Sequence, residues 1–282
     1  MTNGKLMRYT AFSSTPAGGN PAGVWVGNEL PPKQEMQAIA KQVGYSETAF
    51  IAPMTGENRT VRYYSPEIEI TFCGHATIAS GVALGNIEGP GKYVFSTLAG
   101  EIPVSVTEQD GRFRAALTSA APKTEEATTG FIREVLAVLG WSPADLNPEI
   151  PPVRAYAGAW HLVLAADRHE RLDRLAYDFD TLKSLMEREQ LTTIQLVWRE
   201  TDQIFHSRNP FPVGGVIEDP ATGAAAAALG GYLREKELVK APAHIRIHQG
   251  DAMGRPSRLE VDIPETGGIV VSGTAVEIPE SL

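Results

Sequence analysis

The sequence predicts an α+β fold of two strand-rich, rolled domains, each wrapped around one central helix. Short β-rich runs alternate with a few helices along 282 residues, a length that suits one large domain or two smaller ones. Residues 75–85 and 220–230 align without gaps and are identical at six of eleven positions. Because the two segments lie about half the chain apart, duplication of a domain is the leading explanation.

Both repeated segments lack charge. No Asp, Glu, Lys or Arg occurs at residues 75–87 or 220–233, and a helix without a charged face is normally buried on all sides. Small residues such as Ala79 and Gly81 let the surrounding backbone approach closely. We therefore expect each segment to be the central helix of a domain; the alternative is a pair of ordinary helices between sheets.

Hydrophobic periodicity predicts the other elements in order. Strands at residues 6–12 and 23–26 flank the glycine-rich loop 17–21, and residues 33–43 have helical spacing. Further strands are predicted at 48–52, 61–64, 93–97, 102–106, 113–117, 161–165, 193–198, 204–206 and 243–248, and further helices at 131–139 and 180–189. The polar segment 118–130 is the best linker candidate, between an N-terminal half at 1–121 and a C-terminal half at 122–282, with terminal strands that can cross over.

Composition narrows the range of partners. A net charge of −9 and a pI near 5.2 argue against a nucleic-acid partner, which needs a basic surface. Cys73 is the only cysteine, so no intrachain disulfide can form and a reducing compartment is expected. The N-terminus lacks an apolar signal core and no run of 18 apolar residues occurs. We expect a cytoplasmic protein without a membrane partner.

Several chemical classes find no support. The sequence contains no G-x-S-x-G, Walker or G-x-G-x-x-G motif. Six scattered histidines and one cysteine show no closed zinc spacing, and His244 and His248 lie on a strand-like run where solvent exposure is expected. Glu218 and Asp219 are adjacent, and adjacent carboxylates point apart on most backbones. No metal site is therefore predicted.

The starts of the two central helices are candidate anion sites. Small residues surround each start, in Cys73-Gly74-His75 and in Asp219-Pro220-Ala221-Thr222-Gly223. A helix N-terminus presents unpaired N–H groups and a partial positive charge, which suit a carboxylate or phosphate. We expect the two starts to point toward a shared cleft and to bind a small anionic substrate.

Three side chains are candidates for acid–base chemistry. Glu47 precedes an apolar strand and could act as a general acid or base if burial raises its pKa; otherwise it is a solvated or capping residue. His75 could be an acid, a base or a hydrogen-bond donor, or a structural cap or core histidine. Asp219 is equally plausible as an N-cap of the second helix.

Five short motifs occur in the order typical of one family. They are Gly19-Asn20-Pro21-Ala22-Gly23-Val24, Ser46-Glu47-Thr48-Ala49-Phe50, Cys73-Gly74-His75-Ala76-Thr77, Glu218-Asp219-Pro220-Ala221-Thr222-Gly223, and Gln249-Gly250 followed by Gly254-Arg255-Pro256-Ser257. With these motifs the chain resembles the phenazine-biosynthesis PhzF-like family of the diaminopimelate-epimerase fold. The resemblance implies a duplicated diaminopimelate-epimerase-like fold, an active site between the halves and a homodimer.

The resemblance also implies a cofactor-independent isomerase that moves a proton on a small anionic substrate, a cyclic amino or hydroxy acid. Phenazine-pathway members of the family isomerise a dihydro-hydroxyanthranilate without cofactor or metal. The residue matching Glu47 removes a proton from carbon and returns one elsewhere in the conjugated system. Residues matching His75 and Asp219 hold polar groups of the substrate and assist proton movement.

Four further positions match the substrate-binding part of the family pattern: Asn20, Gly74, Gly223 and Ala224. The last is a departure, because many members carry a hydroxyl or thiol where this chain has Ala224. The resemblance therefore implies a substrate pose that lacks this hydrogen-bond donor.

Two other functions stay open. An epimerase or racemase of the same fold uses paired bases, typically one cysteine from each half, and here Cys73 is matched in the repeat by the region of Pro220. A non-catalytic binding protein would use Glu47 only to order a small ligand. We expect catalysis independent of the thiol, with Cys73 a small buried residue despite its reactive location before a helix.

Overall fold

The computed structural model describes residues 4–54 and 56–279; residues 1–3, 55 and 280–282 of the predicted halves lie outside these ranges. The strands are β1 (Gly4–Ala11), β2 (Asn20–Gly27), β3 (Glu47–Pro53), β4 (Asn58–Tyr64), β5 (Glu69–Ile70), β6 (Gly91–Thr97), β7 (Gly100–Gln109), β8 (Arg112–Thr118), β9 (Lys123–Glu125), β10 (Val153–Tyr156), β11 (Trp160–Ala165), β12 (Thr193–Arg199), β13 (Ile204–Phe211), β14 (Val216–Asp219), β15 (Ala243–Gln249), β16 (Ser257–Ile263) and β17 (Val270–Glu277). The helices are α1 (Lys33–Val43), α2 (Gly74–Glu88), α3 (Thr129–Val138), α4 (Glu170–Asp173), α5 (Phe179–Arg188) and α6 (Gly223–Glu235).

Contacts divide the chain into two compact units. The first contains the residues up to Thr118 together with those from Ser272 onward, and the second is Ser119–Val271. Most of strand β17 therefore belongs to the first unit, although it comes last in the sequence.

In the first unit eight strands close into a ring. Strand order around the ring is β1, β2, β3, β4, β6, β7, β8, β17 and back to β1. The pairs β2–β3 and β4–β6 are parallel; parallel neighbours need a crossover connection, which α1 and α2 provide. Helix α2 contacts five of these strands, β1, β2, β3, β7 and β8, and all its residues from His75 to Gly85 are buried.

Small residues allow α2 to lie inside the ring. A Cβ atom added to Gly81 would come within 2.6 Å of the Ala115 Cβ atom, and one added to Gly85 within 2.8 Å of the Phe113 ring. Both distances are far below ordinary van der Waals contact, so the strands pack directly against the helix backbone. The absence of charge in this segment follows from its burial.

The second unit repeats the order of pairings. Strands β10 and β11 are antiparallel, β11 and β12 parallel, β12 and β13 antiparallel, β13 and β15 parallel, and β15 and β16 antiparallel. Helix α6 follows the short strand β14 just as α2 follows β5. It contacts β9, β10, β11 and β16, and its residues from Ala225 to Leu233 are buried. The predicted α+β fold with central helices is confirmed.

One segment differs from its prediction. The proposed linker 118–130 contains strand β9, which pairs with β10, and the first turn of α3. Strand β9 is at most half-buried, which explains its polar, linker-like sequence. No helix among residues 4–54 and 56–279 is both long and apolar enough to cross a membrane.

Candidate active site

Glu47 is the first residue of β3, directly after the connection from helix α1. Parallel pairing with β2 sets Glu47 opposite Ala22, and its side chain is only 13% exposed. Burial raises the pKa of the Glu47 carboxyl above the ordinary glutamate value, and hydrogen bonds from Ser46 and Cys73 only partly oppose the rise. The site thus contains a carboxyl whose proton affinity is raised toward that of a useful general acid or base.

His75 lies beside this carboxyl, in the first turn of α2. Its Nε2 atom is 3.3 Å from Oε2 of Glu47, and its Nδ1 atom is 3.1 Å from the Asn20 side-chain amide nitrogen. Because an amide NH₂ group only donates, Nδ1 is the acceptor, and the ring proton of the neutral imidazole is on Nε2. Asn20 therefore selects the tautomer whose Nε2–H faces the Glu47 carboxyl at 3.3 Å.

Asn20 is held by a tight loop before β2. It is 2% exposed, and the preceding Gly19 has a φ of +69°, a conformation that favours glycine. A Cβ atom on Gly19 would lie 2.3 Å from the Ala11 carbonyl oxygen, and the Thr10 hydroxyl donates to the Gly18 carbonyl at 2.5 Å. The glycine-rich loop of the sequence therefore positions the amide that orients His75.

The first turn of α2 contributes backbone as well. Gly74 is the first helical residue, and Cys73 before it makes no side-chain cap hydrogen bond. The first turn contains no acidic residue, so no acidic side chain there neutralises the partial positive charge of the helix start. The Cys73 thiol lies 3.3 Å from Nδ1 of His75. Glu47, Cys73 and His75 offer ligand atoms within 4.8 Å of one another, close enough to hold a metal ion as well as to exchange protons.

In the second unit Asp219 ends β14 just before α6. The carboxylate is 8% exposed and accepts a hydrogen bond of 2.6 Å from the Thr222 hydroxyl. The side-chain amide of Gln249 donates to the Asp219 carbonyl at 2.7 Å and to the Thr222 hydroxyl at 3.0 Å. The Thr222 amide in turn donates to the Gln249 side-chain oxygen at 3.2 Å. Gln249 thus holds the start of α6 in place.

Gln249 was not among the predicted site residues, although the Gln249-Gly250 motif contained the signal. Gly250 has a φ of +77°, and a Cβ atom there would be 2.3 Å from the Arg255 carbonyl and 2.7 Å from that of Pro220. The glycine of this motif therefore allows the backbone at Arg255 and Pro220 to approach closely beside the start of α6. Glu218 is separately engaged by the Arg208 guanidinium, at 2.9 and 2.5 Å, as expected for neighbouring carboxylates that point apart.

The predicted site residues fall into two groups. In the first unit the structure brings together Asn20, Glu47 and His75, with Gly74 at the adjoining helix start. In the second unit Asp219 lies beside the start of α6, whose first two residues are the buried Gly223 and the half-buried Ala224.

Comparisons with known proteins identify the family. The family model for phenazine biosynthesis-like proteins, PhzC-PhzF, matches residues 9–281. The chain is 32% identical to the uncharacterized isomerase YfhB of Bacillus subtilis over 286 residues, covering 98% of this chain and 97% of that one. It is 31% identical to a trans-2,3-dihydro-3-hydroxyanthranilate isomerase of Pseudomonas fluorescens, covering 88% of this chain and 86% of that enzyme.

Solved structures show the same fold. A phenazine biosynthesis protein of the PhzF family from Bacillus anthracis superposes with a TM-score of 0.85 at 24% identity, over 98% of each chain. A probable proline racemase from Agrobacterium radiobacter gives a TM-score of 0.66 at 12% identity, over 97% of this chain and 90% of that one. These likenesses confirm the predicted fold class, and the family model and curated relatives confirm the family resemblance. The chain belongs to the phenazine biosynthesis-like PhzC-PhzF family and, like its curated relatives, is an isomerase.

Proposed function

We propose that this isomerase moves a proton between two carbon positions of a small anionic, cyclic amino or hydroxy acid, without a cofactor. The observation that carries the proposal is the buried Glu47 carboxyl, whose pKa is raised by desolvation, at 3.3 Å from a histidine of defined tautomer. A carboxylate of raised pKa is a stronger base than an ordinary glutamate.

The proposed reaction is a proton shift in a conjugated system. Ionised Glu47 removes a proton from one carbon, and the electron pair of the broken C–H bond moves into the conjugated system. The protonated carboxyl then returns a proton at another carbon, so no electrons are gained or lost overall. The Nε2–H group of His75 faces the carboxylate and stabilises its negative charge before the proton is removed and after it is returned.

Substrate recognition is assigned by the family resemblance. We infer that Asp219 binds a polar group of the substrate, and that backbone at Gly74, Gly223 and Ala224 and the side chain of Asn20 line the binding positions. The Pseudomonas fluorescens relative acts on trans-2,3-dihydro-3-hydroxyanthranilate, which makes this compound and related cyclic acids the first substrates to try. The resemblance further supports a biosynthetic role, in phenazine formation or a pathway of similar chemistry, for a cytoplasmic homodimer.

The experiment compares Glu47→Gln with Cys73→Ala in heavy water. Glu47→Gln should lower deuterium uptake into the substrate by roughly 10²–10⁴-fold, because glutamine keeps the size and shape of the side chain but cannot carry the proton. Cys73→Ala should keep most activity, since the proposed mechanism does not use the thiol. In the wild type, the rate of proton abstraction should rise with pH through a pKa above the ordinary glutamate value of about 4.3.

Ligand binding and folding are the controls for both variants. Glu47→Gln should fold and still bind substrate, as measured by thermal shift and calorimetry. A dead cysteine variant beside an active glutamine variant would mean a thiol-based mechanism of the epimerase type. Ligand binding by the wild type without any proton exchange would favour the non-catalytic binding function.

A further inference from the structure

A cluster of histidines in the second unit lies outside the residues of the proposed reaction. Glu200, His206 and His248 each offer a ligand atom, and these three atoms lie within 4.8 Å of one another. We propose that the three side chains bind a divalent transition-metal ion such as Zn²⁺ or Ni²⁺.

Strand register creates the cluster. His206 on β13 is the register partner of His248 on the parallel neighbour β15, which places the two imidazoles side by side with centroids 5.0 Å apart. Glu200 lies in the turn that joins β12 to β13, with Oε2 2.6 Å from Nε2 of His206. Because the ligands come from separate segments, their spacing in the sequence does not resemble a metal motif.

The donor set selects the class of ion. Two imidazoles and one carboxylate suit Zn²⁺, Ni²⁺, Cu²⁺ or Fe²⁺, whereas Mg²⁺ and Ca²⁺ prefer oxygen ligands alone. In tetrahedral coordination with bonds of about 2.0–2.1 Å, ligand atoms are roughly 3.3 Å apart. The three ligand atoms lie within 4.8 Å of one another, and Glu200 and His206 are 2.6 Å apart, so each separation must change by at most about 1.5 Å to reach this value. The ion would replace the proton in the hydrogen bond between Glu200 and His206.

The surroundings leave the site accessible, and the two nearest arginines are paired with carboxylates. The side chains of Glu200 and His206 are 43% and 23% exposed. Arg258, the register partner of His248 on β16, donates two hydrogen bonds of 2.9 Å to Asp251, which oppose its charge in part. Arg199, next to Glu200, is likewise paired with Asp202 at 2.8 Å.

Two aromatic rings form a wall beside the ligands. Trp198 is the register partner of His206 on the other side, with ring centroids 5.3 Å apart. His169, at the start of α4, packs edge-on against both Trp198 and His206, at 4.8 and 4.9 Å. This packing limits the rotamers of His206 and holds its ring near the other two ligands.

The test measures Zn²⁺ and Ni²⁺ binding to the full-length, untagged protein by calorimetry. We expect this cluster to bind one metal ion per protein chain. The affinity for the ion should be at least tenfold weaker in His206→Gln and in His248→Ala. His206→Gln keeps a hydrogen-bonding partner for Glu200, so its fold should survive, and circular dichroism checks this. Bound ion should raise the Tm of the wild type and not of His206→Gln.

Two variants separate this site from other metal-binding groups. His244→Ala removes a half-exposed histidine of the same strand that already bridges Asp262 and Glu260, and it should bind metal normally. Cys73→Ala tests the Glu47–Cys73–His75 group. This variant should still bind one metal ion at the proposed site. Absence of binding, or equal weakening in His244→Ala, would overturn the proposal without bearing on the isomerase function. Loss in Cys73→Ala alone would also overturn it, and would place the metal ion at the proposed base Glu47 instead.

Discussion

Two polar side chains, Asn20 and His75, are arranged in order beside the proposed base Glu47. The Asn20 amide donates to Nδ1 of His75, and Nε2 of His75 lies 3.3 Å from the Glu47 carboxyl. Each of the three residues is positioned by a different local feature: a glycine-rich loop, the first turn of a helix, and the first residue of a strand. Asn20 and His75 thus place a hydrogen-bond donor beside the Glu47 carboxyl without a permanent positive charge. A permanent positive charge there would lower the pKa of the carboxyl.

A second buried histidine has a structural role in the second unit. His161 is fully buried and donates from Nδ1 to the Thr193 hydroxyl at 2.7 Å, which in turn donates to the Asn209 side-chain oxygen at 3.0 Å. Its Nε2 atom makes no hydrogen bond within the described residues. Burial lowers the pKa of His161 to about 3, so the folded protein keeps this ring neutral in mild acid.

The pKa of His161 predicts a loss of stability in acid. Below the unfolded-state pKa of about 6.5 the unfolded chain binds a proton that the folded chain does not, so stability falls as pH drops from about 6.5 toward 3. Between pH 7 and pH 5 this residue should cost about 2 kcal/mol. His161→Gln should remove that part of the pH dependence, as measured by urea unfolding at both pH values.

His244 is a control whose effect on stability changes with pH in the opposite direction. Although burial lowers the pKa of His244, its hydrogen bonds to Asp262 and Glu260 raise it overall. Its stabilisation is complete below the unfolded pKa and is lost as pH rises through the folded pKa. His244→Gln should therefore weaken the protein more at pH 5 than at pH 7. An unchanged acid response in His161→Gln would contradict the neutral, desolvated state of that ring.

Among the elements, the helices divide into two physical types. Helix α1 has two buried residues, Met36 and Ala40, on one face and ends at Gly44, which has a φ of +73°. Its amphipathic spacing allowed its limits to be predicted. Helix α2 is buried from His75 to Gly85, so it has no charged face there. Glycine stands at Gly81 and Gly85, where the strands pack directly against the helix.

Gly81 tests this packing of α2. Alanine favours a helix by up to about 1 kcal/mol over glycine, but a Cβ atom at Gly81 would meet that of Ala115 at 2.6 Å. Ala115 is on β8 and its Cβ atom cannot move without the backbone, so overpacking of about 1–3 kcal/mol should dominate. Gly81→Ala should lower the free energy of unfolding, as measured in urea.

Gly130 is the matched control. It lies in the first turn of α3, and nothing lies within 4 Å of the Cβ atom that alanine would add. Gly130→Ala should be neutral or stabilising by up to about 1 kcal/mol. Stabilisation of both variants to the same degree would mean that the ring does not constrain α2 as described.

At the scale of the whole molecule, the main feature is that both units repeat one order of strand pairings. The two units share a succession of antiparallel and parallel pairs, and each inserts its helix at the same step. We propose that they are the duplicated halves predicted from the repeat at residues 75–85 and 220–230. The C-terminal strand β17 pairs with both β1 and β8, so the last strand of the chain completes the ring of the first unit.

Closure by β17 can be tested at Gly273. A Cβ atom at this position would lie 2.5 Å from the Phe12 ring, so Gly273→Val should displace β17 from its neighbours. We expect a loss of roughly 1–3 kcal/mol or more, with amide hydrogen exchange accelerating most in β1, β8 and α2. Ser272→Val, a valine at the preceding half-buried position of the same strand, should have little effect.

Amide hydrogen exchange can also contradict closure of the first ring by β17. If Gly273→Val accelerated exchange chiefly in strands of the second unit, such as β12 and β15, the terminal strand would not be what closes the first ring. Equal acceleration throughout the chain would mean that the two units unfold together.

The sequence by itself determined the fold class, the two buried helices and the family. These features rest on local signals: charge-free segments of small residues, the spacing of α1, and short motifs whose glycines serve tight turns and close approaches. Glu47 was singled out by the family resemblance of its Ser46-Glu47-Thr48 motif, because a glutamate at the start of an apolar strand can equally be a solvated or capping residue. The short strands β5, β9, β10 and β14 were not predicted, since two to four residues show too little periodicity.

Only the tertiary structure decided which side chains meet. The tautomer of His75 depends on Asn20, 55 residues earlier, and the raised pKa of Glu47 depends on burial that no local pattern records. The cluster of Glu200, His206 and His248 exists only because parallel pairing of β13 with β15 sets His206 beside His248, although solvent exposure was expected for His248. Strand register and desolvation are properties of distant residues brought together, and for that reason they appear only when the chain is folded.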